Sequence, residues 1–161
     1  NGIKPEFLER FNEFIPYFPH AKKSIANIAR MQLETFQNEM KTAVCPINIG
    51  LPAKKDNRYW QKQMSTSATP YGDNDELSVM IAEDIIGSEA QTTGARAIAR
   101  FIEGRVKSKT MRLLAYRTSH NLPVDGQFRL KAANPSFQSN GGARPDVEVE
   151  YVPKEVLIKN G

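Results

Sequence analysis

The residues that could bind a metal or transfer a proton are few and far apart in the chain. His20 and His120 are the only histidines, and neither has a cysteine, an aspartate or a second histidine at metal-ligand spacing. A zinc site needs about four such ligands. The sequence therefore predicts structural or solvent-exposed histidines and no metal site.

The single cysteine, Cys45, excludes an internal disulfide and suits a reducing cytosol. A cysteine works as a nucleophile when a base lies beside it, and the neighbouring sequence offers none. Because Cys45 lies at the end of an apolar helical stripe, we expect its thiol to be buried.

Carboxylates occur in two groups that could suggest cation binding or acid–base work. The segment 73–76 (Asp-Asn-Asp-Glu) lacks the alternating oxygens, central glycine and distal glutamate of a calcium loop, so it predicts a solvated turn. Glu83 and Asp84 are adjacent and would point to opposite faces of a strand. The pair Gly141-Gly142 is not followed by Lys-Ser or Lys-Thr, so no phosphate loop is present, and there is no dinucleotide fingerprint. We predict no cofactor.

Charged residues are separated along the chain, although the net charge is only +4. Basic residues gather in the second half: Arg96, Arg100, Arg105, Lys107, Lys109, Arg112 and Arg117. Acidic residues come just before them: Asp73, Asp75, Glu76, Glu83, Asp84 and Glu89. Such a pattern is compatible with two solvated surfaces, with oriented contacts between subunits, or with a basic face near nucleic acid.

The stretch 105–109 has the densest basic pattern, and three interpretations of it stay open. It can be a flexible basic loop, a contact with DNA phosphates, or an ionic contact between subunits. It has no interleaved aromatic residue of the kind on which single-stranded nucleic acid stacks.

The longest element that the sequence predicts is an amphipathic helix from Ala21 to Val44. Its apolar residues recur three or four positions apart: Ile25, Ile28, Ala29, Leu33, Phe36, Met40, Ala43 and Val44. Pro46 should end it, because proline lacks a donor and disfavours helix at the residue before it. Residues 1–20 predict a helical arm with a proline hinge at Pro16 and Pro19.

The rest of the chain predicts strands with one shorter helix. Residues 58–69 and 76–81 predict a β-hairpin, and a capping box at Ser88–Gln91 predicts a helix that stops at Gly104. Further strands are expected at 110–118, 127–132, 147–151 and 155–159, with a turn at 122–126. The predicted fold class is α+β: a single domain, 1–161, in which the long helix packs on an antiparallel sheet of about five strands.

Composition agrees with a globular domain. The chain has 161 residues, of which 40% are hydrophobic and 25% charged, and this length is sufficient for a core. No charged-then-apolar leader is visible, and no apolar run approaches the ~18 residues of a membrane span. We therefore expect no membrane partner.

Two short motifs give the chain a resemblance to a known family. The long helix leads into Pro46-Ile47-Asn48-Ile49-Gly50, and the predicted second helix carries Phe101-Ile102-Glu103-Gly104. Over roughly residues 20 to 105 the chain resembles the tail-completion (head–tail joining) proteins of long-tailed bacteriophages. That family has a Pro-Val-Asp-Thr-Gly-like turn and an aromatic-Val/Ile-Glu-x-Gly element, whereas this chain has no residue between Glu103 and Gly104.

The resemblance implies a non-enzymatic virion component that is assembled in the host cytoplasm. Such proteins form rings, often hexameric, between the head connector and the tail tube, so the implied partners are further copies of this chain and other neck or tail proteins. The segments 48–57, 105–109 and 134–146 would then be contacts between subunits. The alternative is a small nucleic-acid-binding module that uses Arg96 to Arg117, and an enzyme is the third hypothesis.

Overall fold

A computed structural model describes residues 22–54, 73–87, 94–133 and 146–159. The predicted arm at 1–20, the predicted strand at 58–69 and the capping box at 88–91 lie outside these residues. The fold class is α+β. The elements are helix α1 (Lys22–Thr42), strand β1 (Asn48–Gly50), helix α2 (Glu76–Gly87), helix α3 (Gly94–Phe101), a π-helical segment (Ile102–Lys107), helix α4 (Ser108–Ser119), strands β2 (Gln127–Ala133) and β3 (Asp146–Val152), and helix α5 (Lys154–Lys159).

The long amphipathic helix is confirmed as α1, and its buried residues include Ile25, Ala29, Leu33 and Phe36. The C-terminal end of the predicted stripe is different, because residues 43–45 are exposed. The prediction of a buried Cys45 thiol is therefore wrong. The helix ends at Thr42, and Ile47 bonds back through its N–H to the Met40 carbonyl at 2.9 Å. This turn carries Ile47 into the core, and the three preceding residues remain in solvent.

Helices, more than a sheet, cover the apolar stripe of α1. Its main contacts are with α2 and α3, followed by β1. Strand β1 is the one strand with which α1 makes extensive contact among the described residues. The expectation of a long helix laid on a broad sheet is thus met only at that strand.

The predicted strand at 76–81 is wrong, because these residues begin helix α2. Asp75 caps the helix: its Oδ1 accepts the Ser78 backbone N–H at 3.0 Å. The alternation of Leu77, Val79 and Ile81 indicated a strand with one apolar face. However, the residues between them are buried as well, and a helix that is apolar on all sides lies inside the core.

Helix α3, the π-helical segment and α4 form one continuous helix from Gly94 to Ser119. Three predictions are therefore wrong: the helix stop at Gly104, the loop at 105–109 and the strand at 110–118. Gly104 has no neighbouring atoms within 4 Å of a Cβ built on it, so nothing there forces a turn.

The π-helical segment explains how this helix keeps one face in the core. Its buried residues Ile98, Ile102, Val106 and Thr110 recur every four positions. A regular α-helix has 3.6 residues per turn, so a spacing of four would drift by roughly 40° at each step. A π turn has more residues per turn and absorbs that drift. The glycine that predicts a helix stop therefore lies inside a continuous helix.

Within the described residues, the sheet has three strands in the order β1-β2-β3. It is mixed rather than antiparallel: β1 runs parallel to β2, with Ile49 beside Phe128, and β2 is antiparallel to β3, with Leu130 beside Val149. The predicted strands at 127–132 and 147–151 are confirmed.

Three expectations around the sheet are corrected. Asn48–Gly50, predicted as part of a loop, is an edge strand. The terminal segment 155–159 is helical, in α5. The turn at 122–126 joins a helix to a strand instead of joining two strands, because α4 precedes it. One sheet face carries Phe128 and Leu130 into the core, and the other carries charged side chains into solvent.

Candidate interaction surfaces

The seven basic residues singled out from the sequence lie on the continuous helix, and several are paired within the chain. Arg105 lies 3.8 Å from an Asp84 carboxylate oxygen, with its guanidinium 4.7 Å from the centre of the Phe101 ring. Lys107 donates to Glu103 at 2.7 Å and to Glu39 at 3.1 Å. The hydrogen bond to Glu103, with a further one to Glu39, raises the pKa of Lys107, so this lysine stays charged.

Two more of the seven are held by contacts with the sheet. Lys109 pairs with Asp146 and also donates to the Val147 carbonyl at 2.8 Å. Burial opposes ionisation of Asp146, but the hydrogen bonds from Lys109 and from the Val147 N–H, together with the positive charges of Lys109 and Arg105, outweigh it and lower the Asp146 pKa. Arg117 donates to the Pro123 carbonyl at 2.7 Å and lies 3.5 Å above the Tyr151 ring.

Three of the seven, Arg96, Arg100 and Arg112, are exposed and make no ion pair or hydrogen bond with other described residues. Arg96 and Arg100 are four residues apart on α3, so they share a face of that helix. The basic helix is therefore much less basic toward solvent than its sequence indicates.

The acidic residues that precede the basic region are also largely engaged inside the chain. Glu83 lies 3.6 Å from Lys22, and Asp84 faces Arg105. Both carboxylates belong to helix α2 and not to a strand, so the expectation that a strand sends them to opposite faces does not apply. Glu89 lies outside the described residues. The charge separation in the sequence is thus mostly a set of complementary partners within one fold.

The segment 73–76 is not the solvated turn that the sequence predicted. Asp75 is fully buried, and its carboxylate accepts from Arg30 Nη1 at 3.0 Å and from the Ser78 hydroxyl at 2.7 Å. Arg30 also donates to the Pro52 carbonyl at 2.8 Å. This network joins α1, the chain after β1 and the start of α2, so its role is to connect elements.

The pKa values of Arg30 and Glu34 are both shifted in this network. Burial alone would lower the pKa of Arg30, but hydrogen bonds to Glu34 and Asp75 raise it overall. The same bond from Arg30 lowers the pKa of Glu34. No proton is therefore available from Arg30 near neutral pH.

The motif residues that carry the family resemblance have two different settings. Pro46 is exposed and Gly50 is the last residue of β1. A Cβ at Gly50 would come 2.6 Å from Gln127 Cδ, so glycine permits the close approach of that side chain. Phe101 and Ile102 are buried in the core, whereas Glu103 and Gly104 are exposed at the start of the π-helical segment. The second motif is therefore helical, with an apolar half that packs and a polar half in solvent.

Most exposed large apolar side chains belong to segments that meet at one end of the sheet. Six of the eight such residues in the described part of the chain are of this kind: Val44, Tyr116, Leu122, Val124, Val156 and Ile158. We call these six residues the apolar end. Residues 122–126 lead into Gln127, and Gln127 pairs with Val152, after which α5 begins. The sequence contains a signal for this surface, because Leu122 and Val124 are apolar residues in a turn, but the turn residues beside them predict only a change of chain direction.

Hydrogen bonds hold one segment of the apolar end, the turn at 122–126, against β3 and α4. The Tyr151 hydroxyl accepts the Gly126 N–H at 2.9 Å and donates to Asp125 at 3.2 Å. A Cβ at Gly126 would come 2.2 Å from the Val152 carbonyl oxygen, so only glycine allows the turn to pass this close to β3. Arg117 connects α4 to the same turn through Pro123. These bonds fix the turn at 122–126 against β3 and α4.

Two open clefts border strand β1. The first, of about 520 Å³, lies between α1, β1 and residues 124–126, with Lys41 and Asp125 among its lining residues. The second, of about 640 Å³, lies between residues 50–53 and β2, with Arg129 and Lys131 at its wall. Both have mixed polar and apolar linings.

Groups with catalytic or metal-binding chemistry do not converge in the described part of the chain. No three His, Cys, Asp or Glu side chains come together there in a way that could hold a metal ion. The His120 ring lies against Tyr116, with ring centres 4.2 Å apart, and Nδ1 lies 2.8 Å from the Tyr116 carbonyl oxygen. His20 lies outside the described residues.

No protein-family model matches this chain, and no curated protein matches it significantly. None of the described helices combines the length and apolar character that crossing a bilayer requires. The surfaces themselves are therefore the basis for any statement about function.

Proposed function

We propose that this protein is a non-enzymatic assembly protein that acts through protein–protein interfaces, as a subunit of a homo-oligomeric ring at the head–tail junction of a bacteriophage. The observation that carries the proposal is the apolar end. Exposed large apolar side chains concentrated in one region of a surface are typical of protein–protein contact sites. The virion setting and the hexameric ring come from the resemblance in residues 20 to 105.

The internal pairing of charges supports contact with protein more than contact with nucleic acid. Arg105, Lys107 and Lys109 each face a carboxylate of the same chain, so they are not free to neutralise phosphates. A ring also needs two different complementary patches on each subunit. The apolar end is suited to be one of these patches, and the exposed pair Arg96 and Arg100 lies on a different element.

The segments expected to contact neighbouring subunits change accordingly. Residues 105–109 are part of a helix, and 48–50 form a strand, so neither is an adaptable loop. Residues 55–57 and 134–145 lie outside the described part of the chain. The apolar end replaces these segments as the leading candidate for the subunit interface.

Sedimentation velocity and negative-stain microscopy of the full chain test the proposal. We expect a ring, and we expect Ile158→Asp to shift the protein toward monomer because it places a charge in the apolar end. Met31→Asp is the matched control, since Met31 is similarly exposed on α1. A strictly monomeric protein that also fails to join purified phage heads to tails would refute the proposal.

The second candidate function is nucleic-acid binding, which the exposed pair Arg96 and Arg100 favours. Binding to duplex DNA should weaken steeply as salt rises, because each neutralised phosphate releases counterions. The double change Arg96→Gln with Arg100→Gln should lower the salt slope by up to about 2. Arg129→Gln, an exposed cation on the sheet, is the control. Absence of binding at low salt removes this candidate.

A further inference from the structure

The two edges of the three-stranded sheet differ in how much of their backbone is already hydrogen-bonded. At the β1 edge, Gln37 Nε2 donates to the Ile49 carbonyl at 2.6 Å. Successive residues of a strand direct their backbone groups to opposite sides, so Ile49 is the residue of this three-residue strand whose groups face away from β2. A side chain of α1 therefore already occupies the outward carbonyl of this short edge.

The β3 edge is longer, and among the residues that the structure describes, side chains satisfy its outward backbone groups only at the Val147 end. The Val147 carbonyl accepts from Lys109 Nζ at 2.8 Å, and the Val147 N–H donates to Asp146 Oδ1 at 2.8 Å. Both groups of Val147 thus point away from β2, and this orientation recurs at every second residue of an antiparallel strand. Val149 and Tyr151 therefore direct their N–H and C=O groups outward, and no described strand pairs with them there.

We propose that this open edge, from Glu148 to Tyr151, is a strand-addition site for an extended segment of another protein with Lys or Arg at alternate positions. Two outward-facing residues present four backbone groups, which a single added strand would satisfy. The inference rests on the sheet geometry and does not depend on the proposed virion role.

The side chains of β3 determine the chemistry of the added strand. Glu148 and Glu150 are exposed on the solvent face, whereas Val149 is half-buried on the core face. Glu150 is already paired with Lys131, and Glu148 has no partner among the described residues. An added strand would place every second side chain beside these two carboxylates, where positive charge is favourable and negative charge is unfavourable.

A second copy of β3 does not meet this requirement. In antiparallel self-pairing centred on Val149, Glu148 of each copy would face Glu150 of the other. Two directly opposed pairs of like charges destabilise such a contact. The expected occupant is therefore a basic strand from a different segment.

Amide hydrogen exchange on the full chain tests the site without any substitution. The probe is an acetylated eight-residue peptide of alternating Lys and Val, and the control peptide alternates Glu and Val. We expect the Val149 and Tyr151 amides to exchange rapidly in the free protein and at least about tenfold more slowly with the Lys-Val peptide. Slow exchange of both amides in the free protein, or equal protection by the two peptides, overturns the proposal.

Two matched pairs of variants separate charge from backbone. Glu148→Lys should weaken binding of the Lys-Val peptide about fivefold or more, whereas Asp73→Lys, at an exposed carboxylate before α2, should leave it unchanged. Val149→Pro removes the outward N–H and should abolish binding, whereas Val149→Ala keeps the N–H and should bind. Equal affinities within either pair would overturn the proposal, and the exchange experiment decides the matter if Val149→Pro does not fold.

Discussion

The buried carboxylate of Asp75 gives the sharpest quantitative prediction about stability. Asp75→Ala removes the cap of α2 and leaves Arg30 without its buried partner. Asp75 accepts three hydrogen bonds, one from Arg30 and two from Ser78. Loss of an N-cap costs about 0.5–2 kcal/mol, and breaking a buried ion pair from one side costs about 3–5 kcal/mol.

The second partner of the same arginine provides an internal comparison. Glu34 also accepts from Arg30, at 2.7 Å, but its side chain is 41% exposed. A solvent-exposed pair at this helical spacing contributes about 0.3–0.5 kcal/mol. After Asp75→Ala, Arg30 keeps its hydrogen bonds to Glu34 and to the Pro52 carbonyl. We therefore expect a loss of unfolding free energy at the lower end of the range for a broken buried ion pair, about 3 kcal/mol.

Urea unfolding, followed by circular dichroism, measures the free energy of unfolding of Asp75→Ala and Glu34→Ala. An unchanged m-value shows that the two variants can be compared as two-state unfolding transitions. Asp75→Ala should lower the free energy of unfolding by at least about 2 kcal/mol more than Glu34→Ala does. The double variant Arg30→Met with Asp75→Ser keeps a capping side chain at the start of α2. Its loss of unfolding free energy should be about 1 kcal/mol smaller than the sum of the losses in Arg30→Met and Asp75→Ser measured separately. Equal losses for Asp75→Ala and Glu34→Ala would refute the assignment of this network as a buried connection.

Three further predictions concern the turn, the long helix and the surface. Gly126→Ala should lower the free energy of unfolding by about 1–3 kcal/mol, because its Cβ would meet a backbone carbonyl. Gly104→Ala, with open space around the new Cβ, should be neutral or stabilising by up to about 1 kcal/mol. A similar loss of stability in both variants would contradict the close approach at Gly126. The hydrogen bond and charge of Lys109 contribute to the lowered pKa of Asp146 in the folded protein, so the pair stabilises above the ordinary carboxylate pKa of about 4 and its benefit is lost as pH falls through the lowered pKa. The difference in stability between the native chain and Lys109→Ala, about 0.2–1 kcal/mol at pH 7, should therefore shrink as pH falls below about 4, down to the contribution of the bond from Lys109 to the Val147 carbonyl. A constant difference would exclude the ion pair as its source. Cys45 is exposed, so a thiol reagent should modify the folded protein about as fast as the urea-unfolded chain, and a thiol protected until unfolding would contradict its placement.

Local signals in the sequence were sufficient for α1, β2 and β3. The stripe of α1 recurs at helical spacing over about five turns, and β2 and β3 alternate buried and exposed residues with period two. In each case one face of the element meets the core and the other meets water, so periodicity reports burial directly.

The same reasoning failed where burial does not follow one face. Helix α2 is buried nearly all round, so Leu77, Val79 and Ile81 form part of an apolar run that only happens to alternate. The long helix after Gly94 carries its core residues every four positions, and its glycine resembled a stop. Neither case can be decided without knowing what packs against the segment.

The candidate surfaces also combine features that the sequence predicts with features that depend on contacts between distant residues. The sequence predicted which residues are basic, but Asp84 and Asp146 come from other elements, and only their approach removes Arg105 and Lys109 from the free surface. Lys107 is paired both with Glu39 from α1 and with Glu103 on its own helix. The open backbone edge of β3 has no sequence signal at all, since it depends on which strands are neighbours.

By itself, the amino-acid sequence determined the α+β class, the long amphipathic helix, and the two strands whose alternation is visible in a single segment. Only the tertiary structure decided which charges remain free, that Asp75 is buried, and that the exposed apolar residues 44, 122–124 and 156–158 lie on segments that adjoin the same end of the sheet. The physical reason is that propensity and periodicity act over a few residues, whereas ion pairing, burial of a polar group and sheet order depend on contacts between residues far apart in the chain.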